Sequence, residues 1–294
     1  MAESSHKIYG NFNASALLQY LQRSPNEVLH QVIEHTVTKA IRLENQEVLI
    51  HLSIFSEFIE YTVLSNISNV PLFLIENEIK EWFDLHYNLE EFKALASKDL
   101  VLKNLVVQFP NLRIVRVIDL FEAICWSIIG QQINLTFAYQ CKRALIEKVD
   151  RHLLYEGQKY YLFPQPSDLL AISDTEYKLM KFSSQKVRYL REVSAAILNG
   201  TLPAKKTLER MPYEMAKKQL THIKGIGEWS ANYVCMRCLG FRDAFPLADV
   251  GIHNALKLQL GRSAKPSIPE IKEIAAQWKG HEAYACFYLW QSLL

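Results

Sequence analysis

Residues 220–233, LTHIKGIGEWSANY, place two glycines either side of one isoleucine in a stretch that otherwise reads as helix. Met215, Leu220 and Ile223 recur at helical spacing before the glycines, and Val234, Cys238 and Leu239 after them. One helix cannot run through that interruption, so the pattern demands helix, tight turn, helix. Pro212 suits the first turn of the first helix, where its missing N–H is no loss. That helix is predicted to run to about His222. Lys224-Gly225-Ile226-Gly227 then forms the turn, glycine tolerating positive φ and the close approach of another backbone, with Ile226 pinned inward. Glu228 or Trp229 opens the second helix, which is predicted to end on Gly240 as its C-cap. Free amides at a glycine turn and a helix N-terminus make an anion site that a phosphate fits with little side-chain charge. A plain turn between two helices is the alternative reading.

The rest of the composition is consistent with that economy of charge. The formal net charge is only +2, so any basic face must be local. With 294 residues, nearly half of them apolar, the chain can bury one large core or two smaller ones. The five cysteines, Cys125, Cys141, Cys235, Cys238 and Cys286, are odd in number and irregular in spacing, which suits reduced thiols in a cytosol. MAESSHKIYG lacks the apolar core of a secretory signal. The most apolar run, LFEAICWSIIGQQINLTFAY, carries Glu122, Gln131, Gln132 and Asn134, too polar for a lipid span. A soluble, cytoplasmic protein is expected.

Residues 1–109 read as an α+β N-terminal domain. NASALLQYLQ is a short helix with Asn13 as N-cap. EVLIHLS alternates, Val48, Ile50 and Leu52 against Leu49, His51 and Ser53, as a strand with one buried face does. Asn88 and Glu91 have the spacing of a capping box. The strands are expected to form an antiparallel sheet. The boundary falls within FPNLRIVRV, residues 109–117, and residues 110–294 form a helical region. There Asp119 caps a helix whose face carries Leu120, Phe121, Ile124, Cys125, Ile128 and Ile129. EGQKYYLFPQP reads as a small hairpin. Further helices are predicted near 175–199, 212–222, 229–239, 250–260, 268–278 and 281–293, with Asp249 of FPLADVGIHNAL as an N-cap.

Together, LTHIKGIGEWSA and the following FPLADVGI resemble the signature of the helix-hairpin-helix, Gly/Pro-rich loop, aspartate superfamily of DNA base-excision glycosylases. Within it, FEAICWSIIGQQI and GIGEWSANY are similar to the DNA-3-methyladenine glycosylase II group, which removes alkylated bases. The resemblance covers about residues 110–294 well and the N-terminal part more weakly. It implies a mainly α fold, with two helical subdomains and the active-site cleft between them. It also implies damaged double-stranded DNA as the partner of a monomer, with no membrane and no obligate protein partner.

The same resemblance assigns roles. Asp249 matches the catalytic aspartate, a fixed carboxylate that stabilises a cationic sugar after the base has been flipped out. Trp229 and Tyr233, four apart on one helix face, and Trp290 match an aromatic wall that attracts a positively charged alkylpurine. For each aromatic, plain core packing is the alternative. Bifunctional members carry a Schiff-base lysine where this chain has Trp229, which implies a monofunctional enzyme. Lys224, Gly225, Ile226 and Gly227 would meet DNA, and a monovalent cation could sit on the carbonyls of Thr221, Ile223 and Gly225. No other cofactor is implied: Cys235 and Cys238 lie within a helix with only Cys286 after them, and the nine histidines show no ligand spacing. One departure concerns the side chain that fills the gap left by the flipped base. The family's apolar leucine after a glutamine is replaced here by Gln131-Gln132-Ile133, so Gln132 or Ile133 takes that place; alternatively, the glutamines cap the helix break at Gly130. Two rival functions stay open: a superfamily glycosylase for an oxidised or mismatched base, and a non-catalytic DNA-binding module.

Overall fold

The structure, a computed structural model, describes residues 5–43, 46–64 and 70–294. Five strands, β1 (His6–Tyr9), β2 (Gln31–Ile33), β3 (Thr36–Leu43), β4 (Gln46–Ile54) and β5 (Phe58–Val63), form an antiparallel sheet in the order β1-β5-β4-β3-β2. Cross-strand pairs Val37 with Leu52, Ile41 with Val48, Leu52 with Tyr61 and Ile8 with Ile59 put one apolar face against the core. The expected face of Val48, Ile50 and Leu52 is buried. Leu49 is buried too, contrary to the alternation, because a second hairpin, β6 (His152–Tyr155) and β7 (Gln158–Tyr161), covers the other face: Leu49 packs with Ala40 and Leu162 beside Leu153 and Tyr160.

The helices of the N-terminal part are α1 (Ala14–Leu21), α2 (Leu72–Trp82), α3 (Leu89–Ala96) and α4 (Lys103–Gln108). Asn13 caps α1 through the Ala16 N–H. Asn88 caps α3 through the Glu90 N–H, and the reciprocal bond expected from Glu91 is not part of this cap. Beyond residue 118 come α5 (Leu120–Ile129), α6 (Leu135–Val149), α7 (Pro166–Ala171), α8 (Asp174–Leu179), α9 (Ser184–Leu198), α10 (Lys205–Glu209), α11 (Tyr213–Thr221), α12 (Glu228–Arg237), α13 (Val250–Gln259), α14 (Ile268–Ala275) and α15 (Glu282–Gln291). Asp119 caps α5 as expected, accepting from Glu122 N–H at 2.8 Å. This helix is buried on every side, Ala123, Trp126 and Ser127 included, because α6, α9 and α12 surround it.

Several boundaries shift for local reasons. The predicted helix over 175–199 is two helices, because Lys181 takes a positive φ of 65° and Ser183 starts a new cap. Pro212 stands at the N-cap of α11 rather than inside its first turn. Helix α12 stops at Arg237; the turn that closes it swings through Gly240 (φ +74°), where the Phe241 N–H reaches back to the Cys235 carbonyl. Helix α6, capped by Asn134, occupies the polar end of the apolar run. Among the described residues no helix is long and apolar enough to cross a membrane.

One apolar core joins the sheet to the helices. Polar ties join the N-terminal part to the later helices as well. Arg242 grips Asp84 with both guanidinium nitrogens, at 2.6 and 2.9 Å, and the Tyr284 hydroxyl donates to the same carboxylate. Buried Lys142 lies 3.0 Å from Glu27 and 2.9 Å from Glu122. Burial alone would raise the Glu27 carboxyl, but Lys142, His30 and the Leu29 N–H hold it well below the usual range.

Candidate active site and nucleic-acid interface

The hairpin has the expected form, but its two glycines serve different ends. Gly225 has a φ of +100°, and a Cβ there would fall 2.3 Å from Cγ of Tyr189 on α9. Both conformation and contact therefore require glycine. Gly227 has a φ of −88° and is the N-cap of α12; a Cβ there would meet nothing within 4 Å. The expectation that both glycines need positive φ is corrected: Gly227 leaves the approach to the α12 amides open, which is a matter of access and not of strain. Ile226 is buried and Lys224 exposed.

The segment between α5 and α6 braces this turn. Gln131 donates its amide to the Gly225 carbonyl at 2.9 Å and to the Ser230 hydroxyl at 3.1 Å. The Gln131 side chain therefore reaches across to the hairpin and does not cap α5 at Gly130. Gln132 is exposed with φ +56°, and Ile133 is partly buried against the core. Of the carbonyls expected to face a cation, that of Ile223 accepts the Ile226 N–H and that of Gly225 accepts Gln131. Each retains a second lone pair.

Asp249 is a cap and something more. As N-cap of α13 it accepts the Ile252 N–H at 3.1 Å through Oδ1. The same oxygen accepts Nε1–H of Trp290 on α15 at 2.9 Å, and Oδ2 accepts Nε1–H of Trp229 on α12 at 2.9 Å. Three donors from three helices hold one half-exposed carboxylate. Gly251 makes room for this, since a Cβ there would sit 2.9 Å from Asp249 Oδ1 and 3.1 Å from Trp290 Cδ1. Trp229 and Tyr233 stack with ring centroids 5.6 Å apart, and Tyr233 lies 6.2 Å from Trp290. The structure thus brings Asp249, Trp229, Tyr233 and Trp290 into one cluster. An ionised carboxylate fixed by oriented N–H groups beside aromatic faces can stabilise a neighbouring cation without reorganising.

Behind Tyr233 lies a cavity of about 50 Å³, lined among others by Tyr20, Arg23, Trp126, Tyr139, Lys142 and Arg237. It is built from α1, α5, α6 and α12 together, and sequence reading missed it because those residues meet only after the two parts dock. Tyr20 and Arg23, three apart, were the one local hint. Cys235 and Cys238 are buried, and burial pushes both thiols up to about 12, so they pack as small apolar groups.

The chain is similar to known proteins over nearly its whole length. The profile of HhH-GPD superfamily base excision DNA repair proteins matches residues 125–280, and that of the 8-oxoguanine DNA glycosylase N-terminal domain matches residues 17–124. A DNA-3-methyladenine glycosylase of Bacillus subtilis (strain 168) is 36% identical over 96% of this chain and 94% of its own. In fold, the chain is similar to a 3-methyladenine DNA-glycosylase from Archaeoglobus fulgidus (TM-score 0.85, 22% identity, 97% of both chains covered). It is also similar to the Clostridium acetobutylicum 8-oxoguanine glycosylase/lyase in complex with double-stranded DNA (TM-score 0.76, 20% identity, 99% of this chain and 98% of that one). The chain belongs to the HhH-GPD superfamily of base excision DNA repair proteins and is a DNA glycosylase.

Proposed function

We propose that this chain is a monofunctional glycosylase that hydrolyses alkylated purines of the 3-methyladenine and 7-methylguanine type from duplex DNA, leaving an abasic site. The observation that carries the reading is the Asp249 carboxylate held by the indole N–H groups of Trp229 and Trp290 beside Tyr233. The Bacillus subtilis relative named a DNA-3-methyladenine glycosylase supports the substrate class. Trp229, in the place of a Schiff-base lysine, supports hydrolysis without strand cleavage.

In this mechanism a purine swings out of the duplex and stacks near Trp229, Tyr233 and Trp290, whose faces attract its positive charge. The C1′–N bond breaks with its electron pair staying on the base. Positive charge moves to the sugar, opposite Asp249, and water adds to C1′. Gln132, exposed in a left-handed conformation in the loop between α5 and α6, fills the gap in the stack, while Ile133 stays packed against the core. The amides after Gly227 and the Lys224 ammonium hold a backbone phosphate. The Thr221, Ile223 and Gly225 carbonyls would hold a monovalent cation, which would supply further positive charge beside that phosphate. Residues 1–109 form the α+β unit and 110–294 the helical unit with the cleft between its subdomains. The enzyme acts in the cytoplasm as a monomer.

The test is base release from duplexes carrying methylated purines or 8-oxoguanine, with and without alkali. Released methylpurine, and strands that stay whole until alkali is added, are expected. The match of the N-terminal part to the 8-oxoguanine glycosylase domain gives the rival its standing. Release of 8-oxoguanine alone, or strand cleavage without alkali, would favour it.

A further inference from the structure

The cavity behind Tyr233 contains several cationic side chains, and most of them are already engaged. Arg237 donates to the Val115 carbonyl and the Tyr20 hydroxyl. Lys142 is shared by Glu27 and Glu122, and Lys39 donates to the Leu29 carbonyl. Arg23 differs. Among the described residues its hydrogen bond is a single one, from Nη1 to the Tyr20 carbonyl at 3.0 Å. Its guanidinium lies 3.8 Å from the centroid of the Tyr20 ring and 5.6 Å from that of Tyr139. A guanidinium has five N–H donors, so Arg23, which lines the cavity, keeps donors beyond that one bond. The space, about 50 Å³, holds a water or two and not a purine. Seating a base against Tyr233 in that space therefore requires a lining side chain to shift, and Arg23, half-buried at the end of a flexible stem, has fewer hydrogen bonds to give up than Arg237 or Lys142.

We propose that Arg23 is a specificity-determining residue that contacts the flipped base and stabilises it as a leaving group, at the opposite end of the Trp229–Tyr233 stack from Asp249. This rests on Asp249 being the carboxylate beside the sugar. When the C1′–N bond breaks, both electrons go to the base, C1′ becomes cationic and is captured by water, and the water proton is lost to solvent. A cationic methylpurine leaves as a neutral molecule. A neutral purine with an exocyclic carbonyl leaves as an anion, which a guanidinium on the base side stabilises far more. Arg23 also repels a cationic base before the bond breaks, an effect that weakens binding of that substrate. The residue therefore shifts the balance of the site towards neutral, carbonyl-bearing purines, against the aromatic faces that favour cations.

Single-turnover base release from duplexes carrying 7-methylguanine or deoxyinosine, each at several enzyme concentrations, tests this. In Arg23→Gln, the maximal rate on deoxyinosine is expected to fall by on the order of tenfold to a hundredfold. The rate on 7-methylguanine is expected to change by less than about threefold, with half-saturation at the same or a lower enzyme concentration. Arg23→Lys keeps the charge and is expected to retain the wild-type ratio of the two rates; it reads the same quantity should the glutamine variant not fold. Equal slowing of both substrates, unchanged rates in Arg23→Gln, or loss of the ratio in Arg23→Lys would overturn the inference. Wild-type protein that releases neither base would instead overturn the glycosylase reading of Asp249, so the two failures are distinguishable.

Discussion

The hairpin and the aspartate cluster lie at either side of the start of one helix, α12, yet they are made by different means. The hairpin is a matter of backbone: a positive φ at Gly225, an open Cβ position at Gly227 and the free amides of a helix start. The four residues Lys224–Gly227 and the helix ends that flank them carry most of it. The aspartate cluster is a matter of side chains gathered from afar, with Trp229 on α12, Asp249 before α13 and Trp290 on α15. A backbone site suits a partner that is uniform along its length, as a phosphate chain is. A side-chain site suits a partner that varies from one position to the next, as bases do.

That division can be broken by substitution. Asp249→Asn is expected to have the largest effect, a rate loss on the order of a hundredfold or more, with lesion binding largely kept. Base release at the wild-type rate would reduce Asp249 to a helix cap. Gly225→Ala comes next and should act on folding: a forced positive φ costs about 1 kcal/mol or more, and the collision with Tyr189 adds to it. A melting temperature equal to wild type would show that the hairpin does not need its observed geometry.

Trp290→Phe keeps an aromatic face and removes the N–H that fixes Oδ1 of Asp249. Its maximal rate should drop on the order of tenfold, as loss of a hydrogen bond to a charged group implies, while binding of a product-like duplex changes little. A change confined to binding would mean that the ring matters and the donor does not. Gly227→Ala sharpens the contrast with Gly225. It should fold as stably as wild type, since φ is −88° and the Cβ position is open, yet bind damaged and undamaged duplex a few-fold more weakly by similar factors. Selective weakening on damaged DNA alone would place Gly227 in base recognition. Lys224→Ala should have the smallest effect, about a twofold to threefold loss of affinity at moderate salt that fades as salt rises. A loss that persists at high salt would argue against a backbone contact.

Legibility in the sequence follows the same division. The caps at Asn13, Asp119 and Asp249 and the helix-hairpin-helix could be read because neighbouring residues make them; the small hairpin was legible only in part, since EGQKYYLFPQP begins at its turn, at Glu156, and the strands are His152–Tyr155 and Gln158–Tyr161. The role of Asp249 came only from resemblance, since a capping aspartate looks the same whether or not two indoles grip its carboxylate. Helices α2, α4, α6, α7 and α10 escaped, α6 because its Asn134 cap lies inside one long apolar run. The reason for glycine at 225 lies on α9, thirty-six positions earlier in the chain, where no local pattern points. Arg23, Tyr20 and Tyr139 could not be grouped before the N-terminal part was seen packed on α5 and α12.

Arg237 carries a consequence for how the protein is made. Its buried guanidinium ties the end of α12 to Val115 and to the hydroxyl of Tyr20 on α1. Synthesis runs from the N-terminus, so Tyr20 leaves the ribosome long before the helix that bears the hairpin and the pocket wall. The late segment has no satisfied place for that guanidinium until it meets the early one. Docking therefore acts as an assembly checkpoint: a chain deprived of its N-terminal part would display a glycine turn without a rigid pocket behind it, and only the docked molecule can present both to DNA.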